Sequence, residues 1–171
     1  MRIPGPMAGA LTLLLAMPVT AQTHRTYGPI NCVYDRLSAT QRAQVDVGNI
    51  DSGSNLRLLE PAFEACATRH KWPGELLLVV VEHLNARLTF ERAEAQIVRA
   101  GGKAGAVANA WHAMTEDERI AARDSDAQAA ESLRRRAPDL IRFGTHGIKA
   151  VSAYAEMKAM ESAWTRIDPN G

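Results

Sequence analysis

The stretch GELLLVVVEHLNARLTFERAEAQIVRA, residues 74–100, decides the fold. Leu77, Val81, Leu84, Leu88, Ala95 and Val98 recur at the three- and four-residue spacing of one helical face, and Leu76, Val80, Phe90 and Ile97 widen it. An apolar stripe this broad belongs to a central helix with other helices packed around it. Trp72-Pro73 leads into it, and Gly101-Gly102 ends it by admitting the left-handed backbone that a helix C-terminus favours.

Outward from that helix the signals stay helical. On its N-terminal side, Tyr27 to Asn31 contains Gly28-Pro29 and reads as an extended lead-in to a short helix over about 32–37. Ser38 and Gln41 stand at capping-box spacing, in which hydroxyl and amide satisfy orphan N–H groups reciprocally, and this predicts a helix over 39–47. Residues 48–55, with Asp51, Ser52, Gly53 and Ser54, carry turn chemistry and predict a surface loop. Pro61 suits a first helical turn, where its missing N–H costs nothing, and Phe63, Cys66, Ala67 and His70 then share a face.

On the C-terminal side a helix is expected over 104–114, closed by a second capping box at Thr115 and Glu118. Ser125 and Gln128 repeat the spacing and open a helix that Pro138 stops. A last helix over 147–167 places Ala150, Tyr154, Met157, Met160 or Glu161, Trp164 and Ile167 on one face. No sustained apolar and polar alternation marks a strand. With only three each of Phe, Trp and Tyr, the space between helices must be filled by Leu, Val, Ala and Met. The expected fold is all-α: a single irregular bundle of about six or seven helices around a long central helix, formed by residues 22–171.

Residues 1–21 read as a signal peptide. Arg2 supplies the positive start, Met7 to Met17 a short apolar stretch ended by Pro18, and Val19-Thr20-Ala21 the small residues a signal peptidase accepts. Eleven residues are too few for a membrane span, which needs about 20. Cleavage is expected after Ala21, delivering the chain to the periplasm or the exterior. Gln22 follows, so the cysteine needed for lipid attachment is missing. Beyond residue 21 the longest purely apolar run is residues 76–81, so no membrane segment is expected in the mature chain.

In that compartment Cys32 and Cys66, the only two cysteines, are expected to form one disulfide. Charge is balanced, 20 Lys plus Arg against 19 Asp plus Glu, so no overall field draws the chain to nucleic acid or anionic lipid.

Read together, Cys32-Val33-Tyr34-Asp35-Arg36-Leu37 and Ala65-Cys66-Ala67-Thr68-Arg69-His70-Lys71-Trp72 resemble a paired pattern of small exported helical proteins of Gram-negative bacteria. The resemblance covers about residues 30–75. It implies export and helicity, and brings no activity, cofactor or site residue with it.

Few side chains stand at chemically suggestive spacings. Glu82-His83, with Arg87 a turn further, puts a carboxylate, an imidazole and a guanidinium on the central helix, but Arg87 occupies the place a second zinc-binding histidine would need. His83 is expected at the edge of the apolar face with a hydrogen-bond partner. His112 precedes the acidic turn Glu116 to Glu118, where an imidazole suits acid/base work. Glu82, His83, Arg87 and His112 are therefore the candidates for ligand binding or acid/base chemistry. Cys66 and His70 are one turn apart, but a cysteine held in a disulfide is no thiolate ligand. Residues 101–105, GGKAG, lack the order of a phosphate-binding loop and read as a helix end. Arg134, Arg135 and Arg136 form the one charge run, and with Arg142 and Lys149 they are candidates for a basic rim that binds anions.

No nucleophile elbow, metal-ligand set or cofactor motif is present in the sequence. The expectation is a non-enzymatic exported protein, acting through contact with a protein partner or in a structural role. Two other readings are a binding module for a small anionic or apolar ligand held between helices, and an enzyme using a histidine as acid/base.

Overall fold

The computed structural model describes residues 28–168. These form nine helices: α1 (Cys32–Arg36), α2 (Ala39–Gln44), α3 (Gly53–His70), α4 (Gly74–Arg99), α5 (Ala106–Ala113), α6 (Glu116–Asp124), α7 (Asp126–Arg136), α8 (Pro138–Ile141) and α9 (Thr145–Ile167). The signal-peptide reading falls on residues 1–21, outside those described. No strand is present among the described residues, and none of their helices is long and apolar enough to cross a membrane.

α4, with 26 residues and a length of about 39 Å, packs along α9, and this central pair carries the rest. Two cores flank it. One gathers α1, α3, the first half of α4 and Trp164 around Val33, Leu37, Leu59, Leu76, Val80 and Leu84. The other lies among α5 to α9 and the second half of α4, around Ile97, Val107, Leu133, Leu140, Val151 and Met157. Cys32 and Cys66 are bonded and staple α3 to α1.

Local chemistry sets the element boundaries. The capping boxes at Ser38 with Gln41 and at Thr115 with Glu118 are both complete. α4 ends as the glycines predict: Gly101, at φ +86°, donates its N–H to the Val98 carbonyl, and Gly102 donates to that of Ile97. Ser125 does stand at the N-cap of α7, but its side chain makes no capping bond.

Three expectations are corrected. First, residues 53–55 are helical rather than loop, and Pro61 lies well inside α3. Ser52 caps the helix nine residues before the proline, its hydroxyl accepting the Asn55 N–H at 3.3 Å, while Pro61 itself is exposed, so the carbonyl it leaves without an N–H partner sits on the solvent side. Second, α2 stops at Gln44. The buried Asn55 side chain pulls the following segment into a turn by accepting the Asp46 N–H at 2.9 Å and donating to the carbonyls of Asp46 and Asn49 at 2.8 and 2.7 Å. Arg92 then closes α2 by donating to the carbonyls of Arg42, Ala43 and Val45.

The third correction shifts the seam of α4. Its buried residues are Leu76, Val80, His83, Leu84, Ala86, Leu88, Ala93 and Ile97, whereas Leu77, Ala95 and Val98 are exposed. The helix is apolar over more of its circumference than one seam needs, so the partner α9 decides which side closes. Ile167, expected on the buried face of α9, is likewise exposed at the helix end.

Candidate functional site

The four acid/base candidates are not brought together. Glu82 is exposed and borders a polar cleft between α4, α7 and α9 that also holds Asn85, Lys149, Ser152 and Glu156. There Glu156 has its pKa raised by burial, with the carboxylates of Glu82 and Asp124 adding and Arg123 opposing. His83 is 1% exposed, in the seam between α4 and α9 rather than at its edge. Its Nε2 has no hydrogen bond and lies 3.7 Å from Oε1 of Glu161, too far for the expected hydrogen bond. The imidazole lowers the Glu161 carboxyl below the usual carboxylate range; burial opposes, and Lys158, 2.7 Å away, supports it.

Arg87 serves the fold. Its guanidinium lies 3.5 Å above the Tyr34 ring, its Nη1 donates to Asn31 at 2.7 Å, and its Nε donates to Glu91, which also accepts the Tyr34 hydroxyl at 2.6 Å. Arg42 covers the same ring at 4.4 Å. This network clamps α1 on α4. His112 is exposed near the end of α5. His70 stacks on Trp72 beside the disulfide, and His146 is exposed in the first turn of α9.

The arginine run is largely neutralised. Arg136 donates from Nε to both oxygens of Glu118, Arg135 faces Glu118 and Glu131, and Arg134 donates to Glu131 at 2.9 Å. Glu118, already accepting the Thr115 N–H and further engaged by Arg136, has its pKa lowered by both. Arg142 lies over the Phe143 ring, and Lys149 is in the polar cleft, away from the run. Among the described residues no three histidine, cysteine, aspartate or glutamate side chains converge as metal ligands would.

A concavity of about 620 Å³ lies elsewhere, between α3 and the start of α4. Ile50, Leu56, Leu59, Phe63, Ala67, Leu77 and Val81 make its floor and walls, and Asp51, Arg57, Glu60 and Glu64 its rim. The reason for the gap is mechanical: α3 lies close against α1, to which the disulfide ties it, and approaches α4 only sparsely. Leucines that would otherwise be covered face solvent, Leu56 being 58% and Leu77 37% exposed, with Leu78 beside it at 63%. A contiguous apolar surface framed by charged residues is the usual mark of an interaction site.

Sequence reading assigned Leu77 and Val81 to the buried seam and placed residues 48–55 in a loop, which hid both walls. The available signal was the run 76–81, apolar on every side of a helix that can bury only one.

Fold and site together define a disulfide-stapled, all-helical bundle with an open apolar groove on its stapled side. Compared with protein families, curated proteins and solved structures, the chain matches none.

Proposed function

We propose that this is an exported, non-enzymatic interaction protein whose α3/α4 groove receives a partner segment that presents apolar side chains flanked by basic residues. The groove carries the reading. Its rim sets three carboxylates, Asp51, Glu60 and Glu64, against one guanidinium, Arg57, so a basic partner is favoured over an acidic one. From Leu56 to Ala67 the α3 wall runs for about 17 Å, the length of roughly three turns of a docked helix. Export is supported by the apolar stretch and small residues ahead of Gln22, by the disulfide, and by the resemblance to exported helical proteins over residues 30–75.

The test uses two synthetic amphipathic helices with one apolar face, one with lysines and one with glutamates on its flanks, titrated against the oxidised protein by fluorescence anisotropy. The lysine peptide is expected to bind at least tenfold more tightly, and Leu77→Glu to remove that binding while the melting temperature holds, since Leu77 is exposed. Equal affinity for the two peptides, or unaltered binding by Leu77→Glu, rejects the groove. The mass of the protein recovered from an envelope fraction tests export: a chain beginning at Gln22 supports it, and a retained N-terminus rejects it.

A further inference from the structure

A second trough, of about 440 Å³, runs between α6 and α9 and has the opposite character. Four cations line it, Arg119 and Arg123 from α6 and Lys158 and Arg166 from α9, against one carboxylate, Glu116. We infer that it binds a small organic anion, a phosphate or carboxylate attached to a compact apolar body.

The cations are not equally committed. Arg123 is engaged by the neighbouring Asp124 at 3.0 Å, and Lys158 by Glu161. Arg119 is held in place: its Nε donates to the Trp111 carbonyl at 3.1 Å, its guanidinium lies over the Trp111 ring, and the exposed Glu116 pairs with it loosely, at 3.7 Å. Its terminal nitrogens make no hydrogen bond with any described residue. Arg166 donates only to the Ser162 hydroxyl, at 3.1 Å, and no carboxylate among the described residues pairs with it. Guanidinium groups of this kind, pre-positioned and with unused planar donors, suit an oxyanion.

The floor explains why the ligand carries an apolar body. Ile120 is 46% exposed, and the small residues Ala155 and Ala159 leave room beside it. A bare inorganic anion would leave that surface uncovered, and a neutral apolar molecule would leave the two guanidiniums unanswered. This site is separate from Arg134 to Arg136, whose charges Glu118 and Glu131 already meet.

Phenyl phosphate and benzoate are the probes, titrated into the full-length mature protein while the Trp111 and Ile120 amide signals are followed by NMR. Saturable shifts are expected with at least one probe, with phenol and inorganic phosphate binding at least tenfold more weakly. Arg119→Gln combined with Arg166→Gln should weaken the probe at least tenfold. Arg166→Gln alone, at an exposed residue whose one hydrogen bond is to a hydroxyl, should weaken it severalfold with the melting temperature held. Failure of both probes to bind, equal binding by phenol or inorganic phosphate, or full affinity in the double variant would overturn the assignment.

Discussion

The two cores are built on different principles. The one beside the disulfide is filled by large side chains, Val33, Leu37, Leu59, Leu76, Leu84, Trp72 and Trp164, with Ala62 its one buried alanine. The other buries six alanines, at 86, 93, 110, 122, 129 and 150, beneath a chain of edge-to-face rings in which Phe90 and Trp111 both meet Tyr154. Small residues let helices approach closely, and the interior then resembles a close-packed solid. In the first core helix α3 packs on α1, to which the disulfide ties it, and the space it leaves against α4 is the apolar groove. A covalent staple thus permits a gap that side-chain packing alone would tend to close.

Removing the staple should have the largest effect and should test whether the halves are separable. Closing a loop of 34 residues is worth about 3–4 kcal/mol in the chain-entropy model, so Cys32→Ala with Cys66→Ala should lower stability by about that amount. Hydrogen exchange should show α3 losing protection first, with α6 to α9 retaining theirs. Equal loss across all helices would dissolve the distinction and make the two cores one cooperative unit.

Overpacking addresses the other half. Ala150 is fully buried where α9 meets its neighbours, and Ala150→Leu should cost about 1–3 kcal/mol because the added atoms must push buried neighbours aside. Leu77→Ala, on the groove wall, should change stability by less than about 0.5 kcal/mol. Denaturant midpoints measure both. A leucine accepted at 150 without loss would show that the alanine core is not tightly packed.

Much of this architecture is legible along the chain because it is local. Ser38 with Gln41, Thr115 with Glu118, Pro138 and Gly101-Gly102 act within a few residues, and each ends or begins a helix as read. The disulfide follows from the two cysteines. What escapes is decided by contacts distant in sequence. Asn55 shapes the turn after α2 through bonds six and nine residues away, and Arg92 caps α2 from about fifty residues on. His83 is buried because α9 covers that side of α4, a choice absent from a helix whose apolar residues surround it. The Arg134 to Arg136 run reads as free charge until Glu118, sixteen to eighteen residues earlier, folds back onto it.

Acid should separate the two halves in sequence, with smaller effects. Burial lowers the pKa of His70, in the stapled half, from its usual 6.5, with Arg69 and Arg36 adding. Protonation is therefore penalised in the folded state, and the stability this histidine contributes is complete above pH 6.5 and declines as pH falls through and below it. Glu118, in the alanine half, is shifted down from its usual 4.5 by the Thr115 N–H and by Arg136, so its contribution is complete above pH 4.5 and is lost only as pH falls further, through its folded value. Between pH 7 and 5, then, α3 should lose hydrogen-exchange protection while α6 and α7 keep theirs, and His70→Gln should flatten that first change. An early loss confined to α6 and α7 would reverse the assignment. Loss in α3 that persists in His70→Gln would place the titrating group elsewhere in the stapled half. The pattern expected here makes mild acid a reversible probe of the staple's side of the molecule, acting on the contacts around the disulfide while the bond itself stays closed.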